Sequence, residues 1–144
     1  DLFGNLGLPN EITVAAMDRA NDKLAPFSSY GDQVIQIAAV GENVVSTAPG
    51  GGRQRMSGTS MATPAVAGAA ALAFGINPAL TAAQVRDLIL QTARQDPDLA
   101  GKVSTGGKLD VAALVEAAKR TVKPAAPPVQ EWGWGWDWFE QLAA

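Results

Sequence analysis

Apolar runs along this chain alternate with polar breaks marked by glycine and proline, and the spacing within each run predicts its element. Pro9 leads into Glu11-Ile12-Thr13-Val14-Ala15-Ala16, which reads as a buried strand. Residues 34–39 set Ile35 and Ile37 against Gln36, the alternation of a second strand, and Val44-Val45 suggests a short third. Between the first two, residues 18–26 read as a polar connection and Phe27-Ser28-Ser29-Tyr30-Gly31-Asp32 as a turn. Pro49-Gly50-Gly51-Gly52 marks a loop, and Arg53 and Arg55 follow on a polar segment expected to face solvent.

From 61 to 74 almost every residue is apolar or small, which predicts a helix apolar all round, central and buried. Gly68 and its alanine neighbours would let other backbones approach, and Gly75 would end the helix. Where it begins is ambiguous. With Ser60 as N-cap, Pro64 falls inside the first turns and removes a backbone bond. With Thr63 as N-cap, Pro64 takes the favourable first position, and local propensity prefers that choice. Residues 81–94 form an amphipathic helix, with Val85, Leu88, Ile89 and Thr92 on one face and Thr81 and Gln84 at capping-box spacing. Asp96-Pro97 ends it, and residues 101–107 form a loop. Asp110 caps a last helix running to Lys119, with Val111, Leu114 and Val115 inward and Lys119 and Arg120 at its negative end.

The character changes at Thr121. Residues 121–131 read as a proline-rich linker of polyproline type, and residues 132–144 as a tail in which Trp132, Trp134, Trp136 and Trp138 alternate with small or acidic residues. In an extended chain the four indoles face one way. Docking of this tail onto the preceding domain, residues 1–120, is the leading expectation. Binding to a protein, a carbohydrate or a membrane interface, or a disordered tail, are the alternatives.

Composition narrows the chemistry. The 144 residues are enough for one domain with a sizeable core, and a 47% hydrophobic content rich in alanine and glycine suits helices packed closely on a sheet, an α/β arrangement. A formal charge of −3 without any basic block argues against a nucleic-acid partner. There is no cysteine, hence no disulfide and no thiolate chemistry, and both a secreted and a cytosolic setting remain open. The apolar run is shorter than the roughly 18 residues of a membrane span. The chain begins at Asp1 and reads as a processed product or the C-terminal piece of something longer. It contains no histidine, so no side chain has an ordinary pKa suited to general-base work near neutrality.

Against that background stands Met56-Ser57-Gly58-Thr59-Ser60-Met61-Ala62-Thr63-Pro64, a flexible turn delivering a serine to a helix start. Taken bare, a hydroxyl there usually caps the helix, and the same place suits a nucleophile beside unpaired N–H groups. The string Gly58-Thr59-Ser60-Met61-Ala62-Thr63-Pro64, followed by Val66-Ala67-Gly68, resembles the nucleophile signature G-T-S-M-A-[ST]-P…V-A-G of the subtilisin-like serine proteases, the subtilases. The likeness runs from about Pro9 to Lys119. Leu8-Pro9-Asn10-Glu11-Ile12-Thr13-Val14-Ala15-Ala16, Phe27-Ser28-Ser29-Tyr30-Gly31, Ala39-Val40-Gly41 with Ser46-Thr47, the Thr81 helix and Gly106-Gly107-Lys108-Leu109-Asp110 each have counterparts in the family.

That resemblance implies the C-terminal half of a parallel-sheet, three-layer α/β/α subtilisin-like fold, with the helix starting at Ser60. It implies a bacterial-type secreted serine endopeptidase with peptide or protein substrates. Ser60 is then the nucleophile that forms an acyl-enzyme, its N–H an oxyanion donor supported by Thr59, with Ser57, Gly58 and Met61 around it. The triad Asp and His and the oxyanion Asn would come from an N-terminal segment of the same domain, and this chain alone would be inactive. Asn5 is a weak candidate for the oxyanion role, because Phe3-Gly4-Asn5 lacks the family's A-[AS]-G-N context. The Leu8-Pro9 bond is a candidate cis peptide. Ala65 replaces the family's histidine, Val40 its proline, and Gln36 an aspartate that binds a cation in some members, so no metal or other cofactor is carried over. The alternative is a non-catalytic binding or structural module that keeps the fold and reduces Ser60 to a cap.

Overall fold

The computed structural model describes residues 7–121. Residues 122–131 of the Pro-rich linker, the tryptophan tail and Asn5 lie outside the described residues. Four strands form the main sheet: β1 (Val14–Met17), β2 (Ile37–Val40), β5 (Arg94–Gln95) and β6 (Gly107–Lys108). Their order is β1-β2-β6-β5, parallel from β1 to β6 and antiparallel at the β5 edge. A separate hairpin pairs β3 (Val44–Thr47) with β4 (Arg53–Met56), and the helices are α1 (Thr59–Ile76), α2 (Ala82–Gln91) and α3 (Val111–Arg120).

Alternation along β1 and β2 sorts their side chains onto two cores. Val14, Ala16, Ile37 and Ala39 face the helices, where they meet Ala62, Val66, Ala69 and Ala73 of α1. Ala15, Met17 and Ala38 face the other way, toward Leu99 and Val103. Leu99 belongs to a 3₁₀ turn, Pro97–Leu99, capped by Asp96, whose carboxylate accepts the Asp98 N–H at 3.0 Å. The crossover from β1 to β2 carries no helix and covers this second face with Leu24 and Ile35. The expected α/β class is therefore present, with the three helices together on the first face.

Several boundaries differ from expectation. β1 begins at Val14 and ends at Met17; Thr13 instead clips Gln36, whose side-chain oxygen accepts both its N–H and its hydroxyl, the latter at 2.6 Å. Gln36 thus spends its amide oxygen on Thr13 in the place where the resemblance would have put a cation ligand, and no acidic cluster suited to a metal occurs among the described residues. The Leu8-Pro9 bond is trans. Arg53 and Arg55, expected on a loop, lie in β4, although they are exposed as expected. Helix α1 continues through Gly75 to Ile76 and is capped by Asn77, whose side chain bonds the carbonyls of Ala118 and Thr121. That pins the end of α3 to the end of α1.

Helix α1 is also not buried all round. One stripe packs on the sheet, while Leu72, Phe74 and Ile76 are exposed, and its 18 residues reach the length and apolarity of a membrane span. Gly68 has open space around it and makes no close approach. In α2 the expected capping box is complete, Thr81 Oγ1 accepting the Gln84 N–H and Gln84 accepting the Thr81 N–H. The helix stops at Gln91, short of the expected Arg94, because Arg94 and Gln95 pair with β6. Asp110 caps α3 through the Ala113 N–H at 2.9 Å, but Val111 points outward and Ala118 takes an inward place.

One charge lies inside the second face. Lys108 sits beside Ala38 in the sheet, buried, with its ammonium between Asp22 of the β1–β2 crossover and Asp96 of the 3₁₀ turn, the latter at 2.8 Å. The pair of carboxylates raises the Lys108 pKa, the Asp22 hydrogen bond first and the Asp96 bond next. The Asp96 pKa is lowered, chiefly by its hydrogen bond from Lys108 and then by the Asp98 N–H. A depressed carboxyl stabilises the fold fully above the unfolded value of about 3.9, and that share is lost as pH falls through the lower folded value. A raised ammonium contributes fully below the unfolded value of about 10.4 and loses its share as pH rises through the higher one. Urea midpoints of the full chain should therefore be flat between about pH 5 and 9 and fall on both sides. Asp96→Asn should lie below wild type at neutrality and converge with it in acid; parallel curves down to pH 2 would show that this clamp does not couple to folding.

Candidate active site

The serine turn is built by main-chain contacts. Coming off β2, the Gly41 N–H and the Glu42 N–H both donate to the Met17 carbonyl. The Gly41 carbonyl then accepts the Gly58 N–H at 2.8 Å, which brings the start of α1 against the end of the sheet. A Cβ at Gly41 would lie 2.6 Å from the Gly58 oxygen and 2.7 Å from the Ala16 Cβ, so only glycine allows this approach. A second tie closes the hairpin base, the Ser57 hydroxyl accepting the Asn43 N–H at 2.9 Å. Ser57 is therefore committed to holding the turn.

Gly58, in extended conformation, is the N-cap, and no side chain caps the helix. Ser60 is consequently the second helical residue, neither the N-cap nor the residue after it, and the Thr63 start favoured by local propensity does not occur. Met61 N–H and Ala62 N–H both donate to the Gly58 carbonyl, at 3.0 and 3.3 Å. The N–H groups of Thr59 and Ser60 have no acceptor among the described residues. Both point out of the positive end of an 18-residue helix. Pro64 lies within the helix, leaving the Ser60 carbonyl without its intrahelical donor, and the Thr63 hydroxyl bonds the Thr59 carbonyl at 3.0 Å beside it.

Ser60 is exposed on the rim of a cleft of about 530 Å³ between α1 and the chain entering β1. Thr59 and Thr63 line it from the helix, Ile12 and Val14 from the sheet side, and Tyr30 and Val34 from the crossover. On the opposite flank of the helix, Met61 borders a second hollow of about 880 Å³ with Pro64, Ala65 and Arg55. Ser60 and Thr59 thus share one cleft, while Met61 faces away from it and Ser57 and Gly58 lie behind the turn. A hydroxyl beside two open N–H groups at a cleft can attack a carbonyl and have its oxyanion received. The chain holds no histidine, the commonest acceptor of such a proton.

A model of the subtilase family matches residues 5–127. The chain belongs to the subtilase family. Subtilisin from Bacillus pumilus is 48% identical over 85 residues, which cover 59% of this chain and 30% of the relative. Subtilisin-like protease 1 of Plasmodium vivax is 37% identical over 112 residues, 76% of this chain and 18% of the relative. Among solved structures, the subtilase cytotoxin SubAB superposes with a TM-score of 0.68 at 30% identity, over 75% of this chain and 36% of that one. The self-cleaved protease domain of PatA gives 0.64 at 36% identity, over 78% and 43%. This subtilase chain therefore has the subtilisin-like α/β fold, and it spans less than a third of the length of the Bacillus and Plasmodium relatives it matches.

Two contributors to the site lie in stretches with subtilase counterparts, but nothing local announces what they do there. Gly41 follows Val40 where the family has proline, and nothing local announces that its carbonyl will meet Gly58 seventeen residues later. Tyr30 reads as part of a turn, yet it forms a wall of the Ser60 cleft because the crossover folds back over the start of β1.

Proposed function

We propose that this chain is the C-terminal catalytic segment of a subtilisin-like serine endopeptidase and supplies its nucleophile. The observation that carries the reading is the exposed Ser60 hydroxyl beside the open N–H groups of Thr59 and Ser60 at the head of α1. In the reaction, Ser60 Oγ bonds to the peptide carbonyl carbon, its proton passes to a histidine and then to the leaving amine, and water resolves the acyl-enzyme. The histidine, its aspartate and an oxyanion asparagine come from an N-terminal segment of the same domain, without which the chain is inactive. Support for such a segment comes from the surface: Phe27, Tyr30, Val34 and Phe74 are all exposed, and β1 is an outer strand although its side chains are buried. We place the enzyme outside the cell, as the resemblance implies, acting on peptides or proteins.

A fluorophosphonate probe tests this directly. It is expected to label Ser60 in the intact assembly and to leave this chain unlabelled once the upstream segment is removed. An intact assembly that stays unlabelled overturns the proposal and favours the non-catalytic module.

A further inference from the structure

Strand β4 runs straight into the serine turn, and all four of its residues are exposed. Alternation puts Arg53 and Arg55 on one face with their cross-strand partners Thr47 and Val45. Gln54 and Met56 share the other face, where the Gln54 amide donates to the Met56 sulfur at 3.2 Å. Arg55 and Val45 line the second hollow, whose helical wall is Met61, Pro64 and Ala65. Arg55 therefore faces the first turns of α1 beside Met61, the residue after Ser60, and Arg53 lies two residues farther out on the same hairpin face. Among the described residues neither arginine has a carboxylate within ion-pair distance. Arg55 makes one long bond, Nη1 to the Asn43 carbonyl at 3.4 Å. The other charged groups facing the hollow are Asp18, Arg19 and Glu42. Within the hollow Arg19 and Arg55 stand against Asp18 and Glu42, whereas the hairpin itself, residues 43–57, carries Arg53 and Arg55 and no carboxylate.

We propose that Arg53 and Arg55 select substrates carrying an acidic side chain close to the bond that Ser60 attacks. The inference rests on the protease reading above. A peptide seated at Ser60 extends along the two flanks of the helix, and the one at Met61 is bordered by Arg55, with Arg53 farther out on the same strand. A guanidinium receives a carboxylate through paired hydrogen bonds, and it remains charged at every working pH. An exposed pair shifts affinity by up to about fivefold, and two arginines acting on one carboxylate give about three- to tenfold at low salt.

The test uses the intact protease assembly and matched fluorogenic peptides with Glu, Gln or Lys at each of the two positions on either side of the cleaved bond. At one of these positions, Glu should exceed Gln in kcat/KM by about three- to tenfold and Lys should fall below Gln. The difference should fade near 1 M salt, where the screening length is about 3 Å. The double variant R53E/R55E should invert the order in favour of Lys, and Lys119→Gln on α3 should leave the ratio alone. Equal cleavage of Glu and Gln peptides at every position overturns the inference, as does an R53E/R55E variant that keeps the wild-type ratio or a Lys119→Gln variant that moves it as far. Cleavage of the Gln peptides keeps the protease reading standing in those cases; failure to cleave any peptide overturns both.

Discussion

Gly41→Ala is expected to cost the fold about 3 kcal/mol or more, the upper part of the range for overpacked cores. The added methyl would sit 2.6 Å from the Gly58 oxygen, 2.7 Å from the Ala16 Cβ and 3.0 Å from the Ala62 Cβ. None of these atoms can rotate out of the way, because they are main chain or the first carbon of a side chain. Relief has to come from moving the head of α1 off the sheet, and that stretches the 2.8 Å bond from Gly58 N–H to the Gly41 carbonyl. A loss of this size is a large part of the 5–15 kcal/mol that holds a typical domain together. Gly68→Ala gives the contrast. Its Cβ would meet nothing within 4 Å, and alanine is favoured over glycine in a helix by up to about 1 kcal/mol. Urea unfolding of the two variants should therefore move in opposite directions. In the intact assembly, Gly41→Ala should also label more slowly with fluorophosphonate than its folded fraction alone would give. If Gly41→Ala unfolds at the wild-type urea concentration, the close approach does not set the position of the serine.

Ser60→Ala is expected to leave the fold intact and remove turnover. The hydroxyl is exposed and caps nothing, so truncating it should shift stability by less than about 0.5 kcal/mol. In kcat the loss for a triad hydrolase stripped of its serine sets the scale, about 10⁶-fold, with a residual rate from the oxyanion donors and binding. Single-turnover and steady-state kinetics on a peptide ester, with KM measured alongside, separate this from a binding defect. Wild-type kcat in Ser60→Ala would assign the chemistry to another group.

The parts of the fold that could be read ahead are those whose signal is local. Thr81 and Gln84 stand three apart and form the capping box they announce, and Asp110 caps α3 in the same way. Ile35, Gln36 and Ile37 mark the approach to β2 through their alternation. What escaped reading is decided at long range. Arg53–Met56 has no apolar alternation; it becomes a strand because the Pro49-Gly50-Gly51-Gly52 turn, with glycines at positive φ, folds it back on Val44–Thr47. The two-residue strands β5 and β6 exist only through pairing with each other and with β2. Gly75 stays helical because α1 is ended by Asn77, which bonds to α3 some forty residues away. At the site, the motif marks Ser60 and its turn, while the cleft walls Ile12, Val14 and Tyr30 sit in stretches that have family counterparts of their own but meet only through the way the β1–β2 crossover folds.

The ties that hold the serine turn have a consequence for how this surface can change over generations. Its fixed points are the Gly41 carbonyl, the Asn43 N–H and the Ser57 hydroxyl, all at the base of the hairpin. No side chain between Val45 and Met56 is among them. The hairpin can therefore be lengthened, recharged or grafted while Ser60 keeps its place, which makes it an evolvable rim on a fixed base.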